Sequence, residues 1–182
     1  MNSDERAAIA DEVRRTVRDI PDFPKPGILF RDITPVLANP SLFGKVMMAI
    51  ASPFEGQGIT HVVSIESRGF ILGAPVALEL RAAFVPVRKP GKLPSTTVHE
   101  DYALEYGTNS LEIHKDAIQK GQRVLIVDDL LATGGTAEAT AKLASSLGAH
   151  IAGLGFVVEL EFLKGRDRLK NYDVMSLLRY DK

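Results

Sequence analysis

Two kinds of apolar spacing divide the chain. In the first fifty residues, apolar positions recur every three or four: Ile9, Val13, Val17 and Ile20 form one stripe, and Phe43, Val46, Met47 and Ile50 another. Each stripe predicts an amphipathic helix. Ser3 can cap the first, with Asp4 and Glu5 in its first turn and Arg14, Arg15 and Arg18 in its last, the charge order the helix dipole favours. Asn39-Pro40 opens the second and Ser52-Pro53 closes it. Between them, Pro21, Pro24 and Pro26 exclude regular structure and Gly27 opens a short extended piece over residues 28–30, which predicts a fixed, irregular flap.

From Thr60 onward the pattern becomes short β-rich runs separated by helical ones. Strands are predicted over residues 61–65, 84–87, 123–127 and 151–158, and helices near 70–80 and 135–147, the latter with Gly148 as its C-cap. Nearly continuous apolar strands alternating with helices predict an α/β fold: a central, mainly parallel sheet flanked by helices. Ligands of such sheets bind beyond the carboxyl ends of the strands. Residues 88–107 break the rhythm. They hold Pro90, Gly91, Pro94 and a run of Ser95, Thr96 and Thr97, have no apolar period, and predict a long loop acting as a mobile lid. Arg81, Arg88, Lys89 and Lys92 precede the next acid, Glu100, so this loop carries a local positive charge suited to an anion.

Composition narrows the function classes. The 182 residues, 45% apolar and 25% charged, fit a single domain, with residues 1–40 as N-terminal helix and hood. Lys and Arg number 22 against 23 Asp and Glu, so no global positive field exists to hold nucleic acid or an anionic membrane, and neither is expected as a partner. The absence of cysteine excludes a disulfide framework, a thiolate metal site and a thiol nucleophile. The charged start of the chain lacks a secretory core, so the chain is expected to begin here and to work in the cytoplasm.

The most informative stretch runs Val124-Leu125-Ile126-Val127-Asp128-Asp129-Leu130-Leu131-Ala132-Thr133-Gly134-Gly135-Thr136. A buried strand ends in two carboxylates, and a glycine-rich turn then starts a helix. Backbone N–H groups of such a turn are unpaired at the helix N-terminus and can cradle a phosphate, helped by the Thr133 and Thr136 hydroxyls. Carboxylates repel a polyphosphate but accept hydrogen bonds from vicinal sugar hydroxyls, so the ligand suggested is a ribose 5-phosphate. The chain has no G-x-x-x-x-G-K-[ST] loop and no G-x-G-x-x-G after a strand, which removes the nucleoside triphosphatase and dinucleotide readings.

This string resembles the phosphoribosyl diphosphate (PRPP) signature of type I phosphoribosyltransferases. Residues 22–34 (Asp22-Phe23-Pro24 through Ile33-Thr34), Glu66-Ser67-Arg68-Gly69-Phe70, Arg88-Lys89-Pro90-Gly91-Lys92 and Leu104-Glu105-Tyr106-Gly107 resemble the adenine-using branch of that family. The resemblance implies the type I phosphoribosyltransferase fold, with an N-terminal hood and a mobile lid loop, and transfer of the phosphoribosyl group of PRPP to adenine, giving AMP and diphosphate. It implies that Asp128 and Asp129 hold the ribose hydroxyls and that Ala132, Thr133, Gly134, Gly135 and Thr136 bind the 5-phosphate. By the same resemblance Glu66, Ser67 and Arg68 cradle the diphosphate, with a cis peptide at Glu66-Ser67, and Arg88, Lys89, Lys92 and Tyr106 complete the PRPP site. Glu105 and Arg68 are the implied catalytic residues, Glu105 meeting N7 of the purine because the position used by relatives specific for 6-oxopurines is Ala132 here. Leu29 and Arg31 are the implied adenine readers. Mg²⁺ is implied as cofactor, bound mainly through PRPP with no protein ligand assigned, and a homodimer as the assembly. Two alternatives share the fold: a PRPP-binding regulatory protein, and a transferase preferring an N6-substituted adenine such as a cytokinin base.

Overall fold

The computed structural model describes residues 1–103 and 108–182. Two compact units emerge, Met1–Ala49 and Ile50–Lys182.

In the N-terminal unit, helix α1 (Ser3–Thr16) is capped by Asn2, not by Ser3. Asn2 Oδ1 accepts from the Glu5 N–H at 2.8 Å and Glu5 Oε2 accepts from the Asn2 N–H at 2.9 Å, a reciprocal box that only the earlier residue can close with a glutamate at N3. The helix stops at Thr16, so Arg18 leaves its last turn and opens strand β1 (Arg18–Pro21). This strand pairs antiparallel with β2 (Leu29–Asp32), and the flap expected to be irregular is a hairpin. Pro21 is tolerated because it ends a strand of a two-stranded sheet. The connection contains a cis Phe23–Pro24 peptide and positive φ at Asp22 (59°) and Gly27 (85°). Arg18–Asp32 and Arg31–Asp19 ion pairs, each 2.6 Å, cross the hairpin, and Phe23 stacks edge-on against Phe30. Helices α2 (Thr34–Leu37) and α3 (Pro40–Ala51) follow.

The C-terminal unit is built on β3 (His61–Ile65), α4 (Arg68–Glu79), β4 (Ala83–Val87), β5 (Thr97–Ala103), β6 (Thr108–His114), β7 (Arg123–Leu131), α5 (Gly135–Ser146), β8 (His150–Leu160) and β9 (Val174–Tyr180). Five strands form one sheet in the order β4-β3-β7-β8-β9, with every pair parallel, as the continuous apolar runs require. Val63, Ile65, Ile126, Leu154 and Phe156 belong to its buried core. Burying each large side chain is worth about 1.5–3 kcal/mol, and truncating Phe156 to alanine would cost about 3–5 kcal/mol. Helix α4 packs on β3 and β7, and α5 on β7, β8 and the β5–β6 hairpin.

Two expectations change here. Within the segment expected to be a structureless loop, residues 97–103 form β5, which pairs antiparallel with β6, and Arg88 bridges to Glu112 beside them; residues 104–107 lie outside the described residues. The polar residues of the two strands hid the period, yet Leu111 and Ile113 are buried and Val98 and Tyr102 pack against the core. Strand β7 also does not end at the two carboxylates. It continues to Leu131 because β8, eleven residues long, offers ladder partners as far as Glu159.

The strand order fixes where a ligand can sit. From β3 the chain passes through α4 to β4 on one side, whereas from β7 it passes through α5 to β8 and then β9 on the other. The winding reverses between β3 and β7, and the crevice beyond their carboxyl ends is the expected binding place of an open α/β sheet.

Candidate active site

Strand β3 delivers Glu66 and Ser67 to the crevice. The Glu66–Ser67 peptide is cis, as the resemblance implied. Ser67 is the N-cap of α4, and its own side chain makes no capping bond to the first turn. Glu66 is turned aside: its carboxylate accepts from Arg88 Nε at 2.8 Å and from the Lys89 N–H at 3.0 Å. Burial pulls the Glu66 pKa upward, but the Lys89 N–H and the Arg88 guanidinium outweigh it and hold the carboxyl below the usual glutamate value.

Strand β7 delivers the paired carboxylates. Asp129 is buried, and its Oδ2 accepts from Arg68 Nε at 2.5 Å. Asp128 Oδ1 accepts from the Asp129 N–H at 2.9 Å and stands against the first turn of α4. A Cβ on Gly69 would lie 2.8 Å from that oxygen, so glycine lets the carboxylate approach the helix. Desolvation, reinforced by the neighbouring Asp129 charge, pushes the Asp128 pKa well above the ordinary aspartate range. Beyond the carboxylates the chain turns at Gly134, whose φ of +80° favours glycine, and enters α5 without a side-chain cap. The Glu138 N–H donates to Gly134 O at 2.9 Å in the first intrahelical bond, so the N–H groups before it are not used within the helix.

These elements surround one cavity of about 430 Å³, lined by Glu66, Ser67, Arg68, Lys89, Asp128, Asp129, Ala132 and Thr136 among others. A niche of about 80 Å³ adjoins it, lined by Thr133, Gly134 and Gly135 as well as Ala132 and Thr136. The structure thus brings together most of the residues singled out in the sequence. Arg88 and Lys92 do not line the cavity: Arg88 is spent on Glu66 and on the Lys92 carbonyl, 3.2 Å away, and Lys92 is exposed. Leu29 and Arg31 lie on β2 in the N-terminal unit. Glu105 and Tyr106 lie outside the described residues. Tyr102 and Asn109 line the cavity unannounced, and Tyr102 Oη accepts from Thr136 Oγ1 at 3.5 Å. Only their place on a hairpin, invisible to apolar spacing, could have marked them. Among the described residues no group of three or more His, Asp or Glu side chains converges to hold a metal, and no helix is long and apolar enough to cross a membrane.

Chemically, the crevice offers two seats for anions, one at the start of α4 and one at the start of α5, separated by two carboxylates. A ligand with an anionic group at each end and hydroxyls between them matches this order of donors and acceptors.

Comparison with known proteins gives the same picture. Residues 32–179 match the family model of the phosphoribosyl transferase domain. The chain is 58% identical over 169 residues to the adenine phosphoribosyltransferase of Myxococcus xanthus, covering 93% of this chain and 92% of the relative. The crystal structure of adenine phosphoribosyltransferase from Thermoanaerobacter pseudethanolicus superposes with a TM-score of 0.91 at 53% identity, covering 94% of this chain and 99% of that one. The Saccharomyces cerevisiae enzyme, crystallised with an imino-altritol bisphosphate and adenine, gives a TM-score of 0.90 at 44% identity over 94% and 99% of the two chains. The chain belongs to the phosphoribosyltransferase family, in its adenine phosphoribosyltransferase branch.

Proposed function

We infer that this chain is an adenine phosphoribosyltransferase, joining N9 of adenine to C1′ of PRPP and releasing diphosphate. The observation that carries the reading is the pair of helix N-termini, Ser67-Arg68 and Thr133 to Thr136, opening on one cavity with Asp128 and Asp129 between them. PRPP has this layout, a 5-phosphate and a diphosphate flanking a ribose. The yeast relative's crystal complex, with a bisphosphate sugar analogue and adenine, supports it further.

In this reading the N–H groups and hydroxyls from Ala132 to Thr136 hold the 5-phosphate, and Asp128 and Asp129 accept from the ribose hydroxyls. As the bond at C1′ breaks, positive charge develops on the sugar, and the same carboxylates stabilise it. Ser67, Arg68 and Lys89 receive the diphosphate, with Arg88 and Lys92 held nearby around Glu66. Glu105 serves as the acid that hydrogen-bonds N7 of the departing or arriving base, and Leu29 and Arg31 read the adenine edge. Asp128 and Asp129 are hard oxygen donors too few to cage an ion, which suits Mg²⁺ held mainly by PRPP oxygens. When bound, the ion would neutralise charge on the leaving diphosphate. The assembly is a homodimer in this reading, and the setting cytoplasmic.

The test is direct. Purified chain mixed with PRPP, Mg²⁺ and one base at a time, followed by chromatography, should yield AMP from adenine and little product from hypoxanthine or guanine. Faster turnover of an N6-substituted adenine would reassign the base, and no product from any purine would leave a PRPP-binding regulator.

A further inference from the structure

The segment after β8 contributes to the site from behind. Lys164 adopts a left-handed conformation (φ 53°), and Gly165 then begins a short 3₁₀ turn, Gly165–Leu169. Gly165 lies directly against the phosphate loop. A Cβ on Gly134 would collide with the Gly165 carbonyl oxygen, and a Cβ on Gly165 would collide with the Ala132 carbonyl and stand 3.0 Å from Gly134 N. Gly165 is not in a left-handed conformation, so backbone freedom does not require glycine there; the close approach does.

The turn is fixed on three sides. Arg166 donates to both oxygens of buried Glu159 on β8, at 2.9 and 2.6 Å, and to the Val174 carbonyl at the start of β9, at 2.9 Å. Arg168 donates to Glu138 on α5 at 3.2 Å. Leu169 is fully buried in the core. A backbone held this firmly fixes whatever it touches, and it touches residues 132 and 134 of the loop.

We propose that Gly165 is a positioning residue for phosphate recognition: its backbone sets the path of Ala132 and Gly134, and so the aim of the N–H groups from Thr133 to Thr136. The proposal rests on the reading of that loop as the 5-phosphate seat. A side chain at 165 displaces the loop toward the cavity but leaves the Ser67-Arg68 seat, on another strand, in place. Loss of affinity is therefore selective for one end of PRPP.

The experiment is calorimetric titration of wild type, Gly165→Ala and Arg166→Lys with ribose 5-phosphate and, separately, with pyrophosphate and Mg²⁺, alongside steady-state kinetics. Displacements near 1 Å can cost up to about a hundredfold, so Gly165→Ala should weaken ribose 5-phosphate by at least about tenfold and raise KM for PRPP in parallel. Its pyrophosphate affinity should stay within about twofold and its kcat within about threefold of wild type, since both depend on groups outside the loop. Arg166→Lys, which keeps the charge but loses the two-point grip on Glu159, should show the same selectivity at about two- to fivefold, and it serves if the alanine variant does not fold. Equal losses for both ligands, or unchanged ribose 5-phosphate affinity in a folded variant, would overturn the proposal. Wild type that fails to bind ribose 5-phosphate would instead overturn the assignment of the loop, and the proposal with it.

Discussion

Arg68, at the first position of α4, donates to buried Asp129 on β7 across a distance of 2.5 Å. Helix α4 follows β3, the strand that pairs parallel with β7, and in the cavity lining each of the two residues neutralises the other. In the proposed PRPP complex the guanidinium meets a diphosphate oxygen and the carboxylate a sugar hydroxyl. Asp129→Asn keeps the shape but removes the charge. A hydrogen bond to a charged group is worth about 1.5–3 kcal/mol, so kcat/KM for PRPP should fall about tenfold to a hundredfold. Steady-state kinetics checks this, and an unchanged kcat/KM would remove Asp129 from the site.

Asp128 gives a prediction of opposite sign for stability. Burial and the Asp129 charge raise its pKa in the folded chain, so the folded state binds this proton more tightly than the unfolded state does. Its favourable contribution is complete below the unfolded pKa and is lost as pH rises through the raised folded value. Asp128→Asn retains an acceptor for the Asp129 N–H and carries no charge. Ligand-free Asp128→Asn should therefore melt above wild type at pH 7, with the gap closing below the ordinary aspartate pKa, while PRPP binding falls. Thermal scans across pH decide it; a lower Tm at neutral pH contradicts it.

Glu159 behaves in the reverse manner. Burial alone would raise its pKa, but Arg166, Ser176 and Arg179 prevail and hold it below the usual glutamate value. A depressed carboxyl contributes stability that is present above the unfolded pKa and lost as pH falls through the folded one. Melting temperatures measured downward from pH 6 should drop more steeply for wild type than for Glu159→Gln, which starts lower and has less to lose.

Gly69→Ala places a methyl against the Asp128 carboxylate, 2.8 Å from Oδ1 before any adjustment. Alanine otherwise suits a helix, by about 1 kcal/mol over glycine. The folded variant should keep its Tm within a few degrees yet lose PRPP affinity, as read by calorimetry.

Glu105→Gln tests the assigned acid. General acid–base catalysis contributes about 10²–10⁴ in rate, so kcat should fall by a factor in that range while PRPP affinity holds. Unchanged turnover would exclude Glu105 from the chemistry.

The parts of the fold legible in the sequence are those with strong local signals. The apolar runs ending at Ile65 and Val127 announced parallel strands, and the Asp128 to Thr136 string announced the turn and helix start that line the cavity because turn, helix start and carboxylates are contiguous. The hairpins were hidden for different reasons. Prolines obscured β1 and β2, and half-exposed polar residues blurred the alternation of β5 and β6. The carboxylates lie within β7 because of a partner, β8, that local reading cannot weigh. Gly165 gave no signal at all: its constraint is contact with Gly134, thirty-one positions earlier in the chain.

The central claim is that the two helix starts grip opposite ends of one sugar. A crystal structure of the chain with PRPP and Mg²⁺, without a purine, tests it most directly. The 5-phosphate should lie within hydrogen-bonding distance of the Thr133 to Thr136 N–H groups, the ribose hydroxyls on Asp128 and Asp129, and the diphosphate at Ser67 and Arg68. PRPP in the reversed orientation, or bound away from β3 and β7, would contradict it.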